Sequence, residues 1–418
     1  MNSPTTLVLI SGSYPYEIAR ENTFLGPELS YLRAQFDRVI IVPCRIGGQC
    51  CALPAGIEVD EGYALKSHSL RSQVRIGTTA LTLSLFWEEL CRRPRTLVQP
   101  GALRNLVLVA GENQRMRGWM RIFIRRTAID LERAIFYTYW LGVPSLGIGL
   151  LKQEFPNLKV ISRAHGYDVY EHRFRPPYIP LQAECIKHLD RVFFISEDGK
   201  NYIRSRFPWF ADSCEVSRLG VQAPGGGAQP SRDGIYRIVS CSYLVSVKRI
   251  DLLLQGLISL AQSHPGQQFE WFHLGDGPLL DDLRRQAHTA PANLSTHFLG
   301  HLTNETVLGT YRGKPFDLFV NVSSSEGISV AIMEAMSCGI PVVATAVGGT
   351  PEIVSDQNGA LLPKDPTAVQ IAETLWGTLN DPVKLAIKRE ESLATRQERF
   401  NADANFDAFA RRIRALII

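Results

Sequence analysis

Short apolar runs recur along this chain, and the polar stretches between them set its plan. Residues 7–10, 39–43, 158–163, 191–196 and 214–219 are such runs, bounded by turn residues, and read as buried strands. Residues 22–35 and 198–207 carry apolar positions at helical spacing. Positions 134–151 hold no charge over eighteen residues, the length at which a membrane span enters consideration. Gly142, Pro144, Gly147 and Gly149, with Thr138 and Ser145, argue instead for a strand over 134–140, a turn, and a helix starting near Pro144. The cluster Ala223-Pro224-Gly225-Gly226-Gly227-Ala228-Gln229-Pro230 then breaks all periodicity and reads as a linker. Beyond it the alternation restarts, with strands at 236–242, 269–274, 296–299 and 317–322 and a helix at 251–262. Strands alternating with helices twice over imply an α/β chain with two parallel sheets, each covered on both faces. The expected division is 1–222, a linker at 223–232, a second domain at 233–398 and a terminal helical segment at 399–418. Residues 49–72 show no assignable pattern.

The stretch that organises the second half follows the strand at 316–322. Ser323-Ser324-Ser325 are expected to cap a helix opened by Gly327-Ile328, Gly339 to end it, and Pro341 to start the next strand. Glu326 and Glu334 stand eight residues apart, one at the mouth of that helix and one inside it. A carboxylate only accepts hydrogen bonds, and its two oxygens can hold a vicinal diol. Spacing alone leaves open a solvated loop acid and a helix-surface acid.

Loops at strand ends carry further candidates, because ligands of doubly wound sheets sit beyond the C-terminal ends of strands. Gly12, in Ser11-Gly12-Ser13-Tyr14-Pro15, either lets a phosphate or sugar approach the backbone or simply makes a turn. His165 opens the run His165-Gly166-Tyr167-Asp168 after another strand; a lone histidine there either faces a cleft or has a structural role.

Composition adds bounds. At 418 residues, 45% hydrophobic and 21% charged, the chain is globular and long enough for two domains. A net charge of +4 is too small to argue for a nucleic-acid partner. Eight cysteines include the adjacent Cys50 and Cys51 but no C-x2-C spacing, so neither a disulfide framework nor a zinc site is indicated and a reducing cytoplasmic setting is expected. The polar opening and the brief run at 7–10 do not make a signal core. Residues 92–126 hold nine arginines against Glu112 alone. Within them Met116, Trp119, Met120 and Phe123 share one helical face, with Arg121 and Arg125 opposite. Segment 115–126 either lies on an anionic membrane surface or turns its apolar side to the sheet.

Glu326-x7-Glu334, with Gly327-Ile328-Ser329 after the first acid and Ala335-Met336-Ser337-Cys338-Gly339-Ile340-Pro341-Val342-Val343-Ala344 after the second, resembles the donor-site signature of family 4 retaining glycosyltransferases. His165-Gly166-Tyr167-Asp168, with residues 136–140 and 178–181, resembles the branch that builds bacterial exopolysaccharide, lipopolysaccharide and capsule. The likeness covers most of 236–359 and scattered points before it. It implies the GT-B fold: two Rossmann-like domains facing a cleft, the acceptor on the first, the nucleotide-sugar donor on the second, and a terminal helix crossing back to the first.

By position, the resemblance assigns Lys248, followed by Ile250-Asp251-Leu252-Leu253-Leu254, to the donor diphosphate. An arginine common five residues earlier is Tyr243 here, and Arg249, where many relatives have glycine, is the candidate substitute. Gly275, Asp276 and Gly277 match the glycine turn on the cleft wall, and the backbone of His301 and Leu302 matches positions that read the base edge. Glu334 matches the acid on the ribose hydroxyls, Glu326 the acid near the transferred sugar, and the backbone of Gly327, Ile328 and Ser329 the segment facing sugar and phosphate. His165 and Asp168 would contact the sugar from the first domain, with Gly12 beside the donor.

The implied activity is transfer, with retention, of a sugar from a UDP- or GDP-linked donor to a glycan or polyprenyl-diphosphate-linked acceptor in bacterial surface polysaccharide synthesis. It would take place in the cytoplasm or on the inner membrane face, with 115–126 as the membrane contact. No metal or other cofactor is expected, because no Asp-x-Asp motif stands near these positions. Alternatives are a soluble small-molecule acceptor and a non-catalytic nucleotide-binding partner of another transferase. A sugar-nucleotide epimerase is a further option, against which the Glu-x7-Glu context argues.

Overall fold

The computed structural model describes residues 3–16, 21–65, 77–223 and 225–417. Positions 66–72 of the unpatterned stretch, Pro224 of the linker and Ile418 lie outside them. The chain divides into two units, Met1–Ser217 with Phe406–Ile418, and Arg218–Asn405.

Unit 1 is built on a parallel sheet of β1 (Thr6–Ser11), β2 (Arg38–Pro43), β3 (Ile57–Val59), β4 (Ala134–Thr138), β5 (Val160–Ala164), β6 (Arg191–Phe194) and β7 (Cys214–Val216), in the order β3-β2-β1-β4-β5-β6-β7. β1 lies inside the sheet, with Leu7 opposite both Val39 and Ile135. All six residues of β1 are buried, as its unbroken apolar run requires of a strand covered on both faces. Successive side chains point to opposite faces. Val8, Ile10 and Phe136 therefore join one core with Met116, Met120 and Phe123. Leu7, Leu9 and Tyr137 join the other with Leu25, Leu29 and Leu32 of the helix Asn22–Gln35 and Phe409, Ala410 and Ile413 of the last helix, Ala402–Arg414. Fully buried Arg163 of β5 ties that last helix in: it pairs with Glu28 at 3.0 Å and lies 4.1 Å over the ring of Phe409.

The uncharged stretch 134–151 is β4, the helix Val143–Gly149 and a 3-10 turn at Leu150–Gln153. Among the described residues no helix is long and apolar enough to cross a membrane. The basic stretch runs from the end of the helix Ser84–Arg92 through a 3-10 turn, Pro94–Val98, into the 28-residue helix Pro100–Thr127, whose packing corrects the expected membrane contact at 115–126. Met116, Trp119, Met120 and Phe123 are buried in the unit 1 core, so that apolar face is already covered. The arginines opposite are largely paired: Arg117 and Arg121 with Glu154, Arg115 with Glu112, Arg126 with Asp60.

Unit 2 repeats the plan with β8 (Ile235–Cys241), β9 (Gln268–Leu274), β10 (Leu294–Phe298), β11 (Leu318–Asn321), β12 (Val342–Thr345) and β13 (Gly359–Leu362), in the order β10-β9-β8-β11-β12-β13. The helix Ile250–Ser263 lies against Ala368–Leu379 over one face, around Leu253, Leu257, Ile371 and Leu375. After β11 the helix is shorter than its sequence implies: it runs Val330–Ser337, with Ser329 as N-cap and no side-chain cap bond. The serines expected to cap it are engaged elsewhere. The Ser323 N–H donates to Asn321 Oδ1 at 3.0 Å and the Ser324 N–H to the Val247 carbonyl at 2.8 Å. Residues 322–329 are thus a braced loop, and Gly327 lies before the helix. Gly339 does end it, in the left-handed conformation at φ +71°.

Candidate functional site

In unit 2 the strand order reverses between β8 and β11, and the loops leaving these two strands face one crevice beyond the sheet. Lys248 closes the 3-10 turn Ser246–Lys248 on the first loop; Glu326 sits on the second. Lys248 Nζ lies 2.6 Å from Glu326 Oε1. Asn321, the last residue of β11, directs its amide to the same oxygen and to Ser329 Oγ, both at 3.3 Å. Burial alone would raise the Glu326 carboxyl. The Lys248 ammonium, with hydrogen bonds from Lys248, Ser323 and Asn321, outweighs it and holds the group below the usual carboxylate range. The result is an ionised acid and a cation side by side at the mouth of the sheet.

Arg249 faces another way. Its backbone is left-handed at φ +50°. Its guanidinium donates from Nε to the Val322 carbonyl at 2.6 Å and from Nη2 to the Ser323 and Lys364 carbonyls at 3.0 and 2.9 Å. Nη1 reaches Asp365 at 3.0 Å. The side chain therefore braces the loop that carries Glu326. Tyr243, where the resemblance leads one to look for arginine, is 45% exposed.

The glycines of the site make close approaches possible. Gly275 and Gly277 have φ of +143° and +155°, and a Cβ on either would strike the backbone of Ser242 or Leu244. With the Leu244 N–H on the Asp276 carbonyl at 2.9 Å, this turn props the loop leading to Lys248. Gly348, at φ +51°, comes so near Glu326 that a Cβ would sit 1.9 Å from its carbonyl oxygen. The Gly349 N–H then holds the Gly327 carbonyl at 2.7 Å.

Glu334 lies inside the helix Val330–Ser337, buried, with the Asn304 amide on its Oε1. Burial pushes its carboxyl up to about 7, the Asn304 bond only partly opposing it. Asn304 opens the helix Asn304–Gly313, two residues after Leu302, so the amide links Glu334 to the His301-Leu302 loop. His301 is exposed, and the Gly300 carbonyl accepts the Gly275 N–H at 2.8 Å.

Unit 1 has its own reversal, between β1 and β4. The space over Gly12 there is taken by the chain itself. The carboxylate of Glu21 accepts from the N–H groups of Gly12, Ser13 and Tyr14 at 2.9, 2.5 and 2.7 Å, and the Trp140 indole donates to it. His165, at the end of β5, is buried beside Tyr139 and Trp140, with ring centroids 4.9 and 4.4 Å away. Both its ring nitrogens are buried without a hydrogen-bond partner. Asp168 clamps two loops, accepting the His165 N–H at 2.5 Å and the Leu141 N–H at 2.8 Å. It positions His165 rather than presenting free oxygens.

Lys248, Glu326, Gly327 and Ser329 thus come together in unit 2. Glu334, His301 and Leu302 form a second group within it, and Gly12, His165 and Asp168 belong to unit 1. Sequence reasoning missed Asn321, Asn304, Gly348 and Glu21. Only the Gly348-Gly349 doublet after an apolar run carried a signal. Among the described residues no group of three or more His, Cys, Asp or Glu could hold a metal ion.

Residues 236–381 match the family described as Glycosyl transferases group 1. The chain is 32% identical over 207 residues to a component of phosphatidylinositol N-acetylglucosaminyltransferase from Arabidopsis thaliana, covering 48% of this chain but only 43% of that protein. It is 29% identical over 272 residues to a GDP-mannose-dependent monoacylated alpha-(1-6)-phosphatidylinositol monomannoside mannosyltransferase from Corynebacterium glutamicum, covering 59% of this chain and 68% of that one. Among solved structures, the lipopolysaccharide outer core galactosyltransferase WaaB superposes with a TM-score of 0.68 at 15% identity, over 98% of this chain and 99% of that one. The fold is that of GT-B glycosyltransferases: two parallel-sheet α/β domains.

Proposed function

We propose that this chain is a retaining glycosyltransferase that moves a sugar from a UDP- or GDP-linked donor to a lipid-linked acceptor. The observation that carries the reading is the Lys248–Glu326 pair at the switch point of unit 2, with Glu334 eight residues on. The match of 236–381 to Glycosyl transferases group 1 covers all three residues. The two relatives' names supply the lipid acceptor class, since both refer to phosphatidylinositol lipids. A role in bacterial surface polysaccharide is the narrower form of the proposal, supported by the His165-Gly166-Tyr167-Asp168 resemblance.

In this reading the bond between the sugar C1 and the diphosphate oxygen breaks, and charge grows on the leaving diphosphate. Lys248 takes up that charge, a contribution of the preorganised electrostatic kind. The acceptor hydroxyl forms the new C1–O bond on the face the diphosphate leaves, and its proton passes to a diphosphate oxygen. Glu334, once ionised, accepts from the two ribose hydroxyls. Glu326, released by Lys248, accepts from hydroxyls of the transferred sugar.

The test is a transfer assay with a panel of UDP- and GDP-sugars and a polyprenyl-phosphate or phosphatidylinositol acceptor, with the anomeric configuration of the product read by NMR. Transfer with retention from one donor series, lost in Lys248→Ala, supports the proposal. Product of inverted configuration contradicts the retaining mechanism. Donor binding without transfer to any acceptor favours the non-catalytic nucleotide-binding alternative.

A further inference from the structure

Single apolar side chains on a protein surface are ordinary; an aromatic ring fixed there beside unpaired cations is not. Unit 1 carries such a group just beyond β5. The short helix Gly166–Val169 follows the C-terminal end of that strand, and Tyr167 on it is 61% exposed. A second ring holds it: Phe174, half-buried, lies 5.0 Å away at an interplanar angle of 60°. Phe174 is in turn set by the 3-10 turn Glu171–Arg173. Its N–H donates to the Glu171 carbonyl at 3.0 Å, and the Arg173 N–H to the Tyr170 carbonyl at 3.2 Å.

The uncompensated charge beside the two rings is positive. Arg175 donates from Nη1 to the carbonyls of His172 and Phe174 at 3.1 and 3.2 Å, which fixes its guanidinium on the segment that carries Phe174. A guanidinium has five N–H donors, and these contacts use Nη1 alone. Arg175 is exposed and Arg173 half-exposed, and neither makes an ion pair among the described residues. The acids of the same segment are already engaged. Glu171 is held by Arg93 at 3.1 Å and Arg206 at 2.8 Å, and Asp168 accepts the His165 and Leu141 N–H groups.

A tyrosine ring offers a flat apolar face with a polar rim. One face of a sugar ring is made of C–H bonds, which such a surface takes out of water while the hydroxyls stay wet. A guanidinium binds a carboxylate or phosphate through charge-assisted hydrogen bonds. The ligand that uses both features is a sugar bearing a negative charge. The position agrees, since ligands of doubly wound sheets gather beyond the C-terminal ends of strands. We propose that Tyr167, backed by Phe174, seats an anionic sugar of the acceptor, with Arg175 and Arg173 on its carboxylate or phosphate. That the sugar belongs to an acceptor rests on the transferase reading; that it binds here does not.

The experiment is saturation-transfer NMR on the full chain with glucuronic acid, glucose 6-phosphate and glucose. Both anionic sugars should bind, more weakly as salt is raised, and glucose about tenfold less well, the scale of one charged hydrogen-bonding group. The stronger of the two anionic sugars tells carboxylate from phosphate. Tyr167→Ala should abolish the signal and Tyr167→Phe should keep it. Arg173→Gln with Arg175→Gln should remove the preference for the charged sugars. Circular dichroism confirms that each variant is folded. Titration of UDP and GDP should be the same in all of them. No binding of either anionic sugar, binding unchanged in Tyr167→Ala, or glucose bound as well as its charged forms would each overturn the proposal. So would nucleotide binding lost in Tyr167→Ala, since it would make the ring a base platform. Anionic sugar bound through Tyr167 with no transfer from any donor supports the subsite and tells against the transferase reading alone.

Discussion

The two sheets share one topology, and their switch points are finished in opposite ways. In unit 1 the backbone N–H groups of Gly12, Ser13 and Tyr14 converge on the carboxylate of Glu21, with the Trp140 indole as a further donor. In unit 2 the corresponding crevice holds an ammonium and an acid, Lys248 and Glu326, 2.6 Å apart. The first supplies its own anion and is satisfied by it. The second meets its acid with a cation from the neighbouring loop. The same fold element therefore meets an acid with backbone N–H groups and an indole at one end of the chain and with an ammonium at the other; on the proposed function, that ammonium is what the donor diphosphate would take over. The difference lies in one side chain at each site.

The largest effect should come from the unit 2 cation. On the proposed function, Lys248→Ala should lower kcat by about 100- to 1,000-fold, the usual loss for one preorganised electrostatic group. It also leaves Glu326 buried without its counter-charge, so the melting temperature should fall and the Glu326 carboxyl should rise. Steady-state kinetics and a thermal melt check the two parts separately. Unchanged kcat would remove Lys248 from the chemistry and erase the contrast between the two sheets.

Removing the unit 1 anion should cost stability. Glu21→Ala leaves three backbone donors without their acceptor, a loss on the order of 2–3 kcal/mol in a denaturant titration. The variant should then be stabilised by added sulfate or phosphate more than the native chain is, because an external anion can take the vacated place. A variant equally stable, or no more responsive to sulfate, would mean that the Glu21 contacts do not hold that loop.

A smaller effect concerns pH. The Glu334 carboxyl, at about 7 in the folded chain against an ordinary 4.5, holds its proton more tightly folded than unfolded. Its contribution to stability is complete below about 4.5 and is lost as pH rises through about 7. Glu334→Gln should therefore flatten the stability profile across that window, gaining on the order of 2 kcal/mol at pH 8 relative to the native chain. Nucleotide binding moves the other way: an ionised Glu334 is the better acceptor for ribose, so native affinity should improve between pH 6 and pH 8. A Glu334→Gln profile parallel to the native one would show that the group titrates normally.

β1, β2, β4, β5, β6, β11 and β12 were legible because they are runs buried on both faces, and such runs need no distant partner to be seen. β3 and β13 were not, since both are short edge strands whose residues are only partly buried. Glu326, Lys248 and Glu334 were found through a local motif. Arg249 was misdirected because its four acceptors come from positions 322, 323, 364 and 365, which only folding brings to it. The helix start at Val330 was missed for a related reason: bonds from the Ser323 and Ser324 N–H groups to Asn321 and Val247 brace 322–329 as a loop, so the first helical turn begins five residues beyond the serines. Glu21 stood unmarked in a polar stretch, and nothing local pointed to the nest it fills.

The most direct test of the central claim is calorimetric titration of UDP and GDP into the full chain, Lys248→Ala, Glu334→Ala and His165→Ala. The account predicts micromolar binding of one nucleotide to the native chain and to His165→Ala alike. It predicts a loss of about tenfold or more in the two unit 2 variants, the scale of one charged hydrogen-bonding group. Equal affinity in Lys248→Ala and the native chain, or loss in His165→Ala alone, would place the nucleotide outside the unit 2 switch point and contradict it.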